Sequence, residues 1–285
     1  MATAPSEREL RSLVDLLDDE DASSLSLVRE RILGLGDLVM PFLEEAHDRF
    51  GPRLRRRIDS LVGELRFRSL QDAVALLAAP AEPDLEEGAF LLARFGRPGL
   101  DATPCRRWLD ETAAEVKASA CAEPYPLLHR LNVRLFSELG FRGNTARYYD
   151  PANSFLDRVI ETRLGLPITL SVVVLLLGRR LGLPLEGAGL PGHFMVRFPA
   201  ARSVYFLDPF HQGRILTRAQ CRQFLLRSGY AFREEYLKPA KSRDILARMM
   251  RNLLSVYQRG GDAESAQRLS VLVEILLTRG GRQNG

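Results

Sequence analysis

Residues 165–198, GLPITLSVVVLLLGRRLGLPLEGAGLPGHFMVRF, contain the pattern that decides the fold. Pro167 precedes a long apolar run, which predicts a helix from Pro167 to Leu181 that ends before a glycine. The residues that follow predict strands at 185–188 and 193–198, with a third at 204–207. A turn at residues 199–203 would join the last two strands. The segment therefore predicts one apolar helix beside an antiparallel hairpin.

Two polar residues of this hairpin suggest chemistry. His193 begins one predicted strand and Asp208 follows the next, 15 positions later. A hairpin of this length sets an aspartate beside an imidazole. An aspartate that accepts a hydrogen bond from one ring nitrogen fixes the tautomer and leaves the other nitrogen free to act as a base. We therefore expect a base at His193 with Asp208 as its orienting carboxylate.

The rest of the chain shows helical periodicity. Apolar residues recur at helical spacing from Glu7 to Arg97, where Ser6 and Glu9 form a predicted capping box. Further helices are predicted at residues 105–122, 126–139, 154–163, 217–226, 243–258 and 263–277. The last two are joined by a Gly-Gly-Asp turn and are expected to be antiparallel. The predicted class is α+β and mostly helical.

Several motifs in a fixed order resemble the transglutaminase-like superfamily, whose core holds a papain-like Cys, His and Asp. The resemblance is closest to the bacterial SirB-type subfamily and covers residues 131–277. The motifs are LNVRLFSELGFRG (131–143), YYDPANSFL (148–156), GLPITLS (165–171), PGHF (191–194) and DPF (208–210). The resemblance implies a helix-plus-antiparallel-sheet core joined to tetratricopeptide-like helices.

We therefore predict three parts along the chain. Residues 1–123 form a helical region of HEAT-like pairs, residues 124–238 form the transglutaminase-like core, and residues 239–285 form a tetratricopeptide-like helix pair.

The resemblance also locates the superfamily's nucleophile position, and in this chain that position is Pro167. Proline carries no nucleophile, although it suits the first turn of a helix because its missing N–H is not needed there. Acyl transfer through a thioester needs a thiolate. His193 and Asp208 map onto the base and its carboxylate, so two members of the triad are present without the third.

Another residue could replace the nucleophile. Ser171 lies one helical turn after Pro167, on the same face, where His193 could activate it. This gives the alternative function, a hydrolase or amide-directed enzyme that uses Ser171, His193 and Asp208. The other interpretation of Ser171 is a small residue packed against the sheet. The three cysteines, Cys105, Cys121 and Cys221, lie outside the nucleophile position and are expected to pack.

The loop before the core helix combines polar and aromatic residues. Asn144, Tyr148, Tyr149 and Asn153 are predicted to form a binding rim for a peptide, together with His211. The alternative is ordinary turn chemistry, in which Asn153 or Ser154 caps the next helix. The spacings of the histidines match no familiar ligand motif, so we predict no metal site and no cofactor.

Composition excludes other classes of protein. A net charge of +4 over 285 residues does not require a polyanionic partner, and the arginines of residues 53–57 are expected to form a solvated face, so no nucleic-acid partner is predicted. The longest apolar run, residues 170–178, is about half of what a membrane span needs, so no membrane association is predicted. Three cysteines without a CxxC pair suit the cytoplasm. We therefore expect a cytosolic, non-catalytic transglutaminase-like protein that binds a protein or peptide partner.

Overall fold

The computed structural model describes residues 5–200 and 203–278. The helices of this part are α1 (Glu7–Asp15), α2 (Ala22–Leu35), α3 (Met40–Arg49), α4 (Pro52–Leu77), α5 (Leu85–Gly96), α6 (Thr103–Ala118), α7 (Pro124–Asn132), α8 (Leu156–Thr162), α9 (Pro167–Leu181), α10 (Arg218–Arg227), α11 (Ser242–Gly260) and α12 (Ala263–Thr278). The strands are β1 (Arg142–Gly143), β2 (Leu164–Gly165), β3 (Glu186–Leu190), β4 (His193–Ala200), β5 (Ser203–Asp208), β6 (Arg214–Thr217) and β7 (Pro239–Ala240). The predicted α+β, mostly helical class is confirmed.

Contacts divide the chain into two compact units, one ending at Ala73 and the other beginning at Val74. The predicted boundaries at residues 123 and 238 fall inside the second unit, and that three-part division stays a prediction.

The first unit is helical and is closed by a core of aliphatic side chains from α1 to α4, among them Leu10, Ile32 and Leu43. The predicted capping box is present: the Ser6 side chain accepts from the Glu9 backbone N–H, and the Ser6 N–H donates to the Glu9 carboxylate.

Arginines of the run at residues 53–57 in α4 form contacts within the first unit. Arg57 donates to the carbonyls of Leu17 and Asp19, and Arg53 pairs with Glu20 at 3.0 Å. These contacts hold the turn after α1.

The second unit contains a five-stranded antiparallel sheet in the order β6-β5-β4-β3-β7. The predicted hairpin pairs β4 with β5, in a register that sets Val196 opposite Leu207 and Ala200 opposite Ser203. Its predicted turn includes residues 201 and 202, which lie outside the described residues. Two short edge strands, β6 and β7, were not predicted.

Helix α9 has the predicted bounds, because Pro167 occupies its first turn and Gly182 ends it with a φ of +69°. Every residue from Pro167 to Gly178 is buried. A helix that is apolar on all sides must be covered on all sides. Strand β4 covers one side of α9, and α6, α8 and the turn at Pro209–His211 cover others.

Other helices differ from their predicted bounds. Helix α8 begins at Leu156 rather than at residue 154, and its N-cap is Phe155 without a side-chain hydrogen bond. The predicted cap at Asn153 or Ser154 is therefore wrong, because Asn153 uses its amide within the preceding loop. Helix α7 ends at Asn132 and is followed by a π-helical turn, Val133–Glu138.

Helices α11 and α12 pack against each other and are joined by a turn in which Gly261 has a φ of +76°. Among the described residues, no helix combines the length and the apolar character needed to cross a bilayer.

A comparison of two glycines tests the packing around the turn after β5. Gly213 and Gly140 both have positive φ, +71° and +73°. A Cβ at Gly213 would lie 1.9 Å from Asn132 Oδ1, whereas a Cβ at Gly140 would meet nothing within 4 Å. We expect Gly140→Ala to lower the free energy of unfolding by about 1 kcal/mol. Gly213→Ala should lower it by roughly 2–4 kcal/mol, because overpacking adds to the same backbone strain.

Urea unfolding followed by circular dichroism measures both free energies. Equal losses in the two variants would show that the turn does not pack tightly against Asn132.

Candidate functional site

The site is built around a buried carboxylate. His193 Nε2 lies 2.9 Å from Asp208 Oδ1, and both residues are buried, with 6% and 2% of their surface exposed. Burial raises the pKa of Asp208, but hydrogen bonds from His193 and His211 outweigh it and hold that pKa below its ordinary value. The structure thus brings together the predicted base and its carboxylate, with Asp208 ionised at neutral pH.

A second imidazole binds the same carboxylate. The 3₁₀ turn Pro209–His211 returns the chain toward Asp208, so that His211 Nδ1 lies 2.8 Å from Asp208 Oδ2. The backbone N–H of His211 also donates to Oδ1, at 3.3 Å. Asp208 is therefore shared by two histidines, one buried and one whose side chain is 56% exposed.

Aromatic rings surround the buried imidazole. The Phe224 ring centroid lies 5.0 Å from that of His193, and the Phe210 ring stands edge-on at 6.1 Å. Phe210 in turn fills the space beside Gly143, where a Cβ would come within 2.6 Å of three ring atoms. These rings fix the imidazole and limit the approach of water to it.

Hydrogen bonds fix the start of α9, where the family resemblance predicts the nucleophile position. Pro167 is buried in the first turn of α9. Just before it, the Leu166 N–H donates to Thr169 Oγ1 at 3.0 Å, and the Thr169 hydroxyl donates to the Asn153 carbonyl at 2.7 Å. Thr169 therefore ties the start of α9 to the loop of residues 144–154.

Ser171, the predicted alternative nucleophile, is bound by backbone carbonyls in this structure. Its side chain is fully buried, and its hydroxyl donates to the Pro167 carbonyl at 2.7 Å and to the Phe194 carbonyl at 3.5 Å. No hydrogen bond joins Ser171 to His193, both of which lie in the described part of the chain. The arrangement matches the packing interpretation of Ser171.

The cysteines also lack the environment of a nucleophile. Cys221 is buried with its sulfur 4.0 Å from the sulfur of Met195, and burial together with the charge of Asp208 raises its pKa to about 12. Burial also raises the pKa of Cys105. Cys121 is exposed, contrary to the expected packing role, because α6 ends at Ala118.

Two residues predicted to bind a ligand form hydrogen bonds within the loop. Asn144 and Asn153 are buried, and the Asn144 amide donates to Asn153 Oδ1 at 2.9 Å. The Asn153 amide donates to the carbonyls of Arg147 and Tyr148. These amides are used within the loop, and the predicted binding role of the two residues stays a prediction.

The tyrosines and His211 reach the surface. Tyr149 is 54% exposed, and its ring packs edge-on against Tyr148 at 5.2 Å. The guanidinium of Arg259 lies 4.7 Å above the Tyr149 ring. Burial, with a smaller effect of Tyr149, raises the pKa of Tyr148. We call Tyr148, Tyr149, Phe210 and His211 the aromatic rim, because ring contacts join each to the next.

One further residue of the site, Arg248, was not predicted from the sequence. Arg248 of α11 donates through Nη2 to the carbonyls of Leu190 and His193, at 2.6 and 2.7 Å. It fixes the turn before β4, and burial lowers its pKa. The one available signal was an arginine within a run of apolar residues of α11, Ile245 to Met250.

Two conservative substitutions test the structure at the start of α9. Thr169→Val removes the hydroxyl that links Leu166 to Asn153, and we expect a loss of about 2 kcal/mol in the free energy of unfolding because buried groups lose their partners. Ser171→Ala should cost less than about 1 kcal/mol, since the Pro167 carbonyl also lies in the helical backbone. Chemical denaturation measures both. A larger loss for Ser171→Ala would contradict the roles assigned here.

Several known proteins are similar in sequence to this chain. A UPF0162 protein of Xylella fastidiosa (strain Temecula1) is 41% identical over 180 residues, which cover 59% of this chain and 63% of that protein. A UPF0162 protein of Pseudomonas aeruginosa is 33% identical over 197 residues, covering 66% of this chain and 70% of the relative. Mouse F-box only protein 21 is 31% identical over 159 residues, covering 53% of this chain and 25% of the relative.

The chain thus spans 63% of the length of that Xylella relative. No solved structure matches the chain. A family model described as the transglutaminase-like superfamily matches residues 103–251, which include α9, the His193–Asp208 pair and Arg248. With more than half of its length matched, and with the buried histidine–aspartate pair in the expected strands, the chain belongs to the transglutaminase-like superfamily and groups there with the UPF0162 proteins.

Proposed function

We propose that this chain is a cytosolic, non-catalytic transglutaminase-like protein that binds a peptide segment of a partner protein at the aromatic rim. One observation carries the proposal: no activated nucleophile lies beside His193 among the described residues. Pro167 occupies the nucleophile position, and the Ser171 hydroxyl donates to backbone carbonyls. Covalent acyl transfer needs an activated nucleophile next to the base.

The rim has the chemistry of a recognition surface. Tyrosine offers a large, rigid contact area at a low entropic cost, and aromatic residues are enriched where proteins bind one another. Tyr149 is 54% exposed although it is aromatic, and Tyr148 holds it from the side. The buried amides of Asn144 and Asn153 fix the loop beneath them, so the rim is ordered before a partner arrives.

Charge near the rim favours an acidic partner segment. Arg259 lies over the Tyr149 ring, and the Arg147 side chain is 79% exposed with an acidic neighbour, Asp150, at 3.8 Å. A weak surface pair of this kind leaves the guanidinium available. The proposed ligand is therefore a peptide segment that combines an aromatic or apolar side chain with a carboxylate.

The flanking helices belong to the same proposal. We infer that α11 and α12 form a tetratricopeptide-like pair and that the N-terminal helices form HEAT-like pairs, as in the SirB-type subfamily. Helix pairs of this kind build surfaces for protein binding. Residues of α11 already contribute to the site through Arg248 and Arg259.

Thiol reactivity tests the absence of a nucleophile. At pH 8 we expect iodoacetamide to alkylate exposed Cys121 first and to leave Cys221 unmodified, because its pKa is about 12 and it is buried. In guanidinium chloride all three cysteines should react. Peptide mass spectrometry assigns the sites. Rapid alkylation of Cys221 in the folded protein would reveal an activated thiol and overturn the non-catalytic proposal.

Peptide binding tests the rim. Peptides selected from a random library on the wild-type protein should be rich in acidic and aromatic residues. Their affinity should fall about tenfold or more in Tyr149→Ala, since exposed tyrosines at the centre of interfaces contribute more than about 1.4 kcal/mol. Fluorescence anisotropy of labelled peptides measures the dissociation constants.

Tyr125→Ala is the matched control, because Tyr125 is 60% exposed and belongs to α7 rather than the rim. It should leave the affinity unchanged. Selected peptides that bind the wild type and Tyr149→Ala equally would rule out the rim as the binding surface.

A further inference from the structure

Three metal-ligating side chains converge at the end of β5. The ring nitrogens of His193 and His211 and a carboxylate oxygen of Asp208 all lie within 4.8 Å of one another. His193 and His211 lie 15 and 3 positions from Asp208 in the sequence. The pairing of β4 with β5 and the turn Pro209–His211 bring the three together. Sequence spacing therefore did not reveal the group.

We propose that His193, Asp208 and His211 bind one divalent transition-metal ion of the Zn²⁺ type. This inference goes beyond the proposed peptide binding and does not depend on it. Two imidazoles and one carboxylate form a ligand set that suits zinc and its neighbours in the first transition row. Magnesium and calcium are disfavoured, because they prefer oxygen ligands.

The separations of the ligand atoms fit such an ion. His193 Nε2 is 2.9 Å from Asp208 Oδ1, and His211 Nδ1 is 2.8 Å from Asp208 Oδ2. With metal–ligand bonds of about 2.1 Å, two ligands at a right angle lie about 3.0 Å apart, and two at the tetrahedral angle lie about 3.4 Å apart. Each of these two pairs therefore needs an adjustment of about 0.5 Å or less to hold an ion, and the ligand nitrogens of the two histidines lie within 4.8 Å of each other. The ion replaces the protons that now bridge the carboxylate and the rings.

The backbone holds two of the ligands in place. Arg248 donates to the His193 carbonyl, and the Gly213 N–H donates to the Asp208 carbonyl at 2.9 Å. Such outer contacts orient metal ligands in proteins. The imidazole of His211 is more than half exposed, which gives the ion a route from solvent and leaves coordination positions open on that side.

The test uses the full chain with Zn²⁺ and Co²⁺ alone. Isothermal titration calorimetry should show one Zn²⁺ per chain for the wild type. The affinity should fall at least tenfold in His211→Ala, a variant expected to fold because the side chain is exposed. His129→Ala is the matched control, since His129 is also exposed and lies on α7 outside the group. It should bind as the wild type does.

Two spectra identify the ligands. Zn²⁺ should shift the imidazole NMR signals of His193 and His211 and leave those of His47 and His129 in place. The Co²⁺ complex should show visible bands without a thiolate charge-transfer band. Absence of saturable binding, equal binding by wild type and His211→Ala, or a thiolate band would overturn the proposal and leave the group as a hydrogen-bonded histidine–aspartate–histidine array.

Discussion

Enclosure of α9 is the constraint on which the second unit depends. Every residue of α9 from Pro167 to Gly178 is buried, so water must be excluded all around this part of the helix. The sheet and the neighbouring helices are arranged to do this. The same enclosure places the start of the helix against β4 and the turn after β5. Consequently, the residues that pack the core also determine which side chains meet at Asp208.

The electrostatics of the site centre on one buried carboxylate. Asp208 remains ionised in a buried position because two imidazoles bind it, and this arrangement holds the ends of β4 and β5 together whatever chemistry follows. Removing one partner of a buried ionised group leaves the other uncompensated. A histidine–aspartate pair in this fold can therefore be retained for its structural role. Its presence alone does not indicate acyl-transfer activity.

The sequence predicted helix bounds well where residues at the helix ends fix them. Pro167 and Gly182 set both ends of α9, as the sequence predicted. The roles of the site residues depended on distant contacts and were harder to predict. Asn153 was available to cap α8, but the carbonyls of the loop bind its amide instead.

The order in which the chain is made gives the enclosure of α9 a consequence for folding in the cell. Helices α6 and α8 precede α9, whereas β4 and the turn at Pro209–His211 follow it. A nascent chain that has just released Leu181 from the ribosome therefore has cover for only part of its most apolar helix. Exposed apolar surface of this kind promotes aggregation. During synthesis up to the end of β5, this unit is therefore exposed to aggregation through the uncovered side of α9.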